Sequence, residues 1–459
     1  MRGKDILEKV VESPAKALDE TIKGGEAVIS AVEKQAPVKK AGEFWNILGP
    51  GLTTGASDDD PSGIATYSQT GAKYGFQLLW LAPLTFPLMA VVQETCARIG
   101  LVTGRGLAAN IRQHFPRWVL YTATILLFIA NTFNIGADLG ALAEAARLFV
   151  PDLNYSLILI AFALFIVLLQ IFSTYKKYAT YLKWLALLLL SYVFSTLMIR
   201  GLDWKQIGLS TVVPNLSLGR EQIILICGIL GTTISPYLFF WQTSQEVEQD
   251  ISDGRTTIAA RQACADPKQI SDMRIDVWSG MFLSNMVMFF IVTACAATLN
   301  VQGITEIGTA AQAAEALRPL AGDAAYLLFA IGIFGTGLLG IPVLAGSAAY
   351  AISESYGWRS GLNYKLRQAS AFYGVLIISI MIGVGLNFIG LDPIRALIYS
   401  AVANGLVAPV VLVLIVLLAS SKKIMGRWVS GPVTRVIGWI ATSLMIIAGL
   451  ATIYSIFWG

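Results

Sequence analysis

Three consecutive carboxylates, Asp58, Asp59 and Asp60, stand beside Pro61 in a segment that is otherwise largely apolar. Carboxylates are hard oxygen ligands, suited to Mg²⁺, Ca²⁺ or Mn²⁺. Successive residues of a helix point about 100° apart, so the three cannot share one pocket. Asp60, which adjoins the proline, is the candidate metal ligand; Asp58 and Asp59 are left to line an aqueous approach or to pair with a basic or hydroxyl group. A second stretch, Gly231-Thr232-Thr233-Ile234-Ser235-Pro236-Tyr237, repeats the construction, with small polar residues ahead of a proline. Proline removes a backbone hydrogen bond and disfavours helix at the residue before it. Both segments are therefore expected to break and free carbonyls and amides.

The elements that carry these breaks follow from composition. The chain has 459 residues, 55% apolar and 14% charged, with a mean hydropathy of +0.65, against roughly 25% charged in soluble proteins. Its charges are bunched between apolar runs of membrane-crossing length. Eleven such runs begin near Trp45, Gln77, Trp118, Tyr155, Ala179, Glu221, Ile275, Ala324, Gln368, Pro393 and Val433, each holding the ~20 residues a crossing needs. This predicts an all-α polytopic membrane protein and argues against a soluble enzyme. A net charge of +4 is too small to indicate a nucleic-acid partner. A single histidine, His114, forbids HExxH; neither a Walker phosphate loop nor a GxSxG elbow is present, so an ATP-driven pump or hydrolase has no support. Cys96, Cys227, Cys264 and Cys295 are scattered singly and read as unpaired packing residues.

An N-terminus in the cytoplasm puts eighteen Lys and Arg, from Arg98 to Arg435, in inside loops and about six outside. That is the positive-inside pattern, which places the C-terminus outside. Residues 1–44 read as a polar cytosolic extension, 45–418 as the transporter core, and 419–459 as an inside loop and eleventh helix. The inside stretch from Glu246 to Arg274 reads as a connector. A plasma-membrane location is expected, with no obligate protein partner beyond the lipid bilayer.

The two broken spans are the first and the sixth, five apart. Interrupted helices at corresponding positions of two halves point to an inverted 5+5 repeat with a midplane site, since free backbone at membrane depth must line a cavity or be buried in protein. Two prolines that merely bend packing helices would not explain the carboxylates. An intramembrane carboxylate costs roughly 2.5–3.5 kcal/mol on insertion scales and calls for a partner, most simply a cation.

Several segments resemble the NRAMP divalent metal ion transporters. Gly49-Pro50-Gly51-Leu52 with Asp60-Pro61-Ser62-Gly63-Ile64-Ala65-Thr66 is similar to that family's first helix, whose motif reads Asp-Pro-Gly-Asn; Tyr74 to Trp80 and Ala97 to Arg105 follow its second helix; Leu328 to Gly332 and Ala345-Gly346 match its eighth. The resemblance runs from about Trp45 through span ten. It implies a LeuT-like fold with helices 1 and 6 broken, and a metal site at Asp60, Gly63, Thr232 and Ser235. Gly63 stands where the family has an asparagine ligand, and Ser235-Pro236-Tyr237 where it reads Met-Pro-His. Thr232 falls where a backbone carbonyl ligates. Gln242 replaces a second histidine, Asn134 an acidic residue of the third helix, and Ala401 a glutamine of the tenth, with Asn404 one turn on. Asp59, Thr233, Tyr237, Gln242 and Asn404 are the candidate pathway residues.

These departures have a chemical direction. A thioether favours transition metals, whereas carboxylate, hydroxyl, carbonyl and water suit hard ions. Losing the bulk of Met and Asn makes room for Mg²⁺, which gives up its water reluctantly. The chain thus resembles the NRAMP-related magnesium branch. It is expected to import Mg²⁺, and Mn²⁺ with it, by alternating access without proton coupling, with the metal as substrate and no cofactor. The alternatives are a proton-coupled Mn²⁺/Fe²⁺ carrier, a metal-sensing receptor and a channel.

Overall fold

The computed structural model describes residues 36–150, 152–217, 219–307, 310–390 and 393–458. Most of the expected N-terminal extension, residues 1–35, lies outside them. A helix over Ala36–Ile47 belongs to a first unit that ends at Leu48, and all that follows concerns the unit beginning at Gly49.

Each proline breaks its span where the backbone chemistry requires. The first crossing is divided into α1 (Pro50–Asp58) and α2 (Pro61–Tyr74), with Asp59 and Asp60 non-helical between them. It is followed by α3 (Leu81–Thr103), α4 (Arg117–Phe149), α5 (Tyr155–Phe172) and α6 (Tyr175–Leu197). The sixth is divided into α7 (Arg220–Thr233) and α8 (Pro236–Ser252) across Ile234 and Ser235. Then come α9 (Pro267–Cys295), α10 (Gly322–Tyr356), α11 (Ser370–Leu386), α12 (Pro393–Ser420) and α13 (Pro432–Trp458). Among the described residues eight spans are long and apolar enough to cross a membrane; the divided α1–α2, the carboxylate-bearing α3 and the 17-residue α11 complete eleven. Among the described residues there is no strand.

The packing exchanges the two halves. In the first half α1 lies on α9, the seventh span, and in the second α8 lies on α3, the second. The third and eighth spans, α4 and α10, pack on each other; α4 also meets α12, the tenth, as α10 meets α6, the fifth. This reciprocity is the inverted 5+5 arrangement of LeuT-like proteins.

Lipid offers little hydrophobic drive between helices, so close approach depends on small residues. A Cβ on Gly55 would lie 2.2 Å from the Gly280 carbonyl of α9, and one on Gly51 2.5 Å from the Val277 nitrogen. Gly231 meets Ala401 and Gly405 of α12 in the same way, and Gly136 meets Gly383 of α11. The GxxxG spacing of Gly51 and Gly55 therefore serves packing. The start of α1, whose amides have no helical acceptor, is tied across the bundle: the Asp276 carboxylate of α9 accepts from the backbone of Gly49 (2.8 Å), Gly51 (2.6 Å) and Leu52 (2.9 Å).

Two expectations change. The stretch from Glu246 is no simple connector, because α8 continues to Ser252 and buries Glu246, Glu248 and Asp250. Glu248 accepts from the backbone and side-chain nitrogens of Asn363 and from the Tyr350 hydroxyl, which holds the helix end to the loop after α10. Arg98 is buried within α3 instead of lying in a loop; it pairs with Glu94 at 3.6 Å and donates to Ser430, while Arg274 donates to the same Glu94 oxygen. His114 is exposed, and all four cysteines are free.

The α1–α9 contact yields a paired test. Gly280→Ala would push a Cβ to 2.2 Å from the Gly51 carbonyl, whereas Gly374→Ala on α11 meets nothing within 4 Å. Thermal unfolding of detergent-purified protein should drop by several degrees for the first, as a ~1–3 kcal/mol overpacking penalty implies, and stay near wild type for the second.

Candidate metal site

Asp60 is buried at the N-cap of α2, with extended backbone (φ −68°, ψ 170°). The break provides its partners. Oδ1 accepts from the Gly63 amide (2.8 Å) and the Ser62 hydroxyl (2.6 Å). Oδ2 accepts from Asn134 Nδ2 of α4 (2.8 Å) and from the Tyr237 hydroxyl of α8 (3.3 Å). Groups from three helices thus gather on the carboxylate, and the N-terminus of α2 adds its favourable dipole. The Tyr237 bond is the longest, and the same hydroxyl also donates to the Ser57 carbonyl at 2.8 Å.

The two breaks meet at Gly63 and Thr232. A Cβ on Gly63 would stand 2.9 Å from Thr232 Oγ1 and 3.3 Å from the Asp58 carbonyl, so glycine is what lets α2 begin against the end of α7. The structure therefore brings Asp60, Gly63 and Thr232 together. Ser235 lies across the second break with its hydroxyl on its own helix end, 2.6 Å from the Thr232 carbonyl and 2.8 Å from that of Gly231.

The other candidate residues divide. Tyr237 touches Asp60 directly. Thr233 spends its hydroxyl on the Ile229 carbonyl of its own helix (2.6 Å). Gln242 donates to Glu246 one turn on (2.8 Å) while its Oε1 has no partner. Asn404 of α12 is buried with both amide atoms unpartnered, and Asp59 is buried with both carboxylate oxygens unpartnered. Asp58 takes a hydroxyl partner, Ser284 of α9, at 2.8 Å.

Sequence reasoning missed Ser62, Ser284 and Gly340, and saw Asn134 only as a substitution. Ser62 could have been read as an N-cap neighbour of Asp60. Ser284 and Gly340 carry no local signal, because they matter only through helix pairing. A Cβ on Gly340 of α10 would lie 2.8 Å from Asp60 Cβ and 3.9 Å from Asp138 Oδ2, so this glycine backs both carboxylates. Asp138, one turn beyond Asn134 on α4, is buried and its carboxylate closes no hydrogen bond. Among the described residues no three His, Cys, Asp or Glu converge as a metal cluster. A cation here would rely on few carboxylates together with neutral oxygens and water.

Eleven helical crossings, an inverted repeat and a carboxylate at the junction of two broken helices define a secondary transporter of the LeuT-like class. The family model described as natural resistance-associated macrophage protein-like matches residues 51–455, and the chain belongs to this NRAMP family of divalent metal transporters. Among solved structures it is similar to a manganese transporter of Eremococcus coleocola in complex with an aromatic bis-isothiourea substituted compound (19% identity, 90% of this chain and 87% of that one, TM-score 0.70). It is also similar to Mhp1, a nucleobase-cation-symport-1 family transporter in a closed conformation (15% identity, 89% and 91%, TM-score 0.53). At these identities the likeness shows the fold.

Gly340→Ala tests the seating of Asp60. The added methyl collides with the Asp60 side chain itself, so divalent-cation uptake into proteoliposomes should fall about tenfold, the effect of a ~1–3 kcal/mol packing penalty placed on the ligand. Protein yield should change less than for Gly280→Ala.

Proposed function

We propose that this protein is an uncoupled importer of Mg²⁺ that also carries Mn²⁺, working by alternating access around Asp60, Gly63, Thr232 and Ser235. The carrying observation is the donor set at the junction of the breaks. Asp60 is approached by the Ser62 hydroxyl, the Gly63 and Asn134 amides and the Tyr237 hydroxyl, and among the described residues no imidazole, thiol or thioether is hydrogen-bonded to it. Such oxygen-rich surroundings suit hard cations. Mg²⁺ usually keeps several waters and takes one or two carboxylates, which fits a site where Asp60 is the one carboxylate so engaged.

The absence of coupling rests on the identity of the polar groups. Tyr237 and Gln242 stand where the family's histidines would be, Asn134 stands at an acidic position, and the chain's one histidine is exposed. An inside-negative potential of ~100 mV contributes ~4.6 kcal/mol to the entry of a double charge, at ~2.3 kcal/mol per elementary charge. With the N-terminus in the cytoplasm of a plasma-membrane protein, that gradient alone drives uptake. The second reading, a proton-coupled Mn²⁺/Fe²⁺ carrier, draws on the similarity to a manganese transporter.

Proteoliposomes loaded with Mg²⁺-sensitive and pH-sensitive dyes separate the two. The expected result is Mg²⁺ influx without acidification, lost in Asp60→Ala; proton entry locked to Mn²⁺ with no Mg²⁺ signal would establish the second reading. Ser235→Met should shift preference from Mg²⁺ toward Mn²⁺ and softer ions. Unchanged selectivity would remove Ser235 from the ligand set.

A further inference from the structure

The two carboxylates before Asp60 are in the opposite condition to it. Asp60 accepts from the Gly63 amide, Ser62 and Asn134, whereas Asp58 Oδ1 and both oxygens of Asp59 are fully buried with no hydrogen-bond partner. The Ser284 hydroxyl of α9 donates to Asp58 Oδ2 at 2.8 Å and lies within reach of the Asp59 carboxylate as well. A hydroxyl has one proton to give, so it cannot satisfy both. Two further buried hydroxyls, those of Tyr67 and Tyr192, lie within electrostatic reach of the pair, Tyr67 of both carboxylates and Tyr192 of Asp59. Among the described residues no arginine or lysine side chain is hydrogen-bonded or ion-paired to either carboxylate.

Adjacent buried carboxylates repel each other, and a buried charge without a partner is strongly unfavourable. What such a group lacks is a cation. The atoms named are carboxylate and hydroxyl oxygens, which select a hard ion, and one or two carboxylates completed by water is the ligand type that Mg²⁺ accepts. We propose that Asp58, Asp59 and Ser284 form a second subsite for a hydrated divalent cation, next to Asp60 along the same helix break. Asp59 and Asp60 are consecutive at the non-helical break, so the proposed subsite adjoins Asp60. Its role in staging ions for Asp60 rests on the reading of Asp60 as a cation ligand; the subsite itself does not.

Binding stoichiometry tests it. Full-length protein purified in detergent is titrated with Mn²⁺, and free ion is followed by its paramagnetic resonance signal. Wild type should bind two Mn²⁺ per chain and Asp59→Asn one. Ser284→Ala, which keeps every charge and removes only the hydroxyl, should weaken one of the two ions by about two- to tenfold, the worth of a single hydrogen bond to the site. Asp60→Ala should retain one ion; retention of two would leave the subsite standing and overturn the assignment of Asp60. One Mn²⁺ per wild-type chain, with neither Asp59→Asn nor Ser284→Ala changing its affinity, would overturn the subsite. Size-exclusion profiles matching wild type exclude misfolding as the cause of a lost ion.

Discussion

A carboxylate buried at membrane depth dictates the arrangement around it. Asp60 can sit there only because the chain is not helical at that point. A continuous helix would spend the Gly63 amide on a carbonyl and offer Asp60 nothing from its own backbone, whereas Pro61 ends α1, starts α2 and turns that amide onto the Asp60 carboxylate at 2.8 Å. The remaining donors, Asn134 and Tyr237, come from α4 and α8, so the third and sixth spans must approach the break in the first. Tyr237 reaches Asp60 because Pro236 restarts the sixth span one residue before it. Both breaks are thus parts of one polar cluster, and removing either would strand a buried charge.

Closeness of this order is bought with glycine. Gly63 admits the Thr232 hydroxyl, Gly340 admits Asp60, and Gly55 with Gly280 lets α1 lie nearly backbone to backbone on α9. The last contact brings Ser284 to Asp58, four residues along α9 from Gly280 and three along α1 from Gly55. Nine residues make α1 too short to be stable alone. It is held along its length by α9 and at its start by three charge-assisted bonds to Asp276. A half-helix held by side-chain contacts in place of backbone continuity is an element that can exchange partners as a body, which is what rocking motions of inverted-repeat transporters require.

Most of the architecture was legible because its signals are local. Eleven apolar runs, a proline beside three aspartates and a second proline five spans later specify crossings and breaks from composition and backbone chemistry alone. The breaks fell where Pro61 and Pro236 put them. The GxxxG spacing of Gly51 and Gly55 is a close-packing pattern that does not name its partner. What stayed hidden is whatever depends on which helices meet. Ser284 is an unremarked serine in an apolar span until α9 lies on α1, and Gly340 is one of many glycines until α10 backs Asp60. The continuation of α8 through Glu246, Glu248 and Asp250 was obscured for the same reason: its charges read as a solvated loop, yet Glu248 is satisfied by Asn363 and Tyr350, more than a hundred residues away.

The state of the Asp60 carboxylate bears on the kind of ion it would accept. With two donors on Oδ1 and Asn134 on Oδ2, a bare ion that displaced one of them would leave that donor unsatisfied in a buried site, at about 1–3 kcal/mol. A hydrated cation faces no such conflict. Its coordinated waters present O–H hydrogens, the same kind of partner that Tyr237 presents at 3.3 Å, so one donor can be exchanged for another while Tyr237 keeps its bond to the Ser57 carbonyl. Strongly hydrated Mg²⁺ suits that exchange better than a transition metal that gains by shedding water for a soft ligand. The donors already committed to Asp60 and its oxygen chemistry therefore bear on the proposed cargo in two ways, one of geometry and one of ligand chemistry.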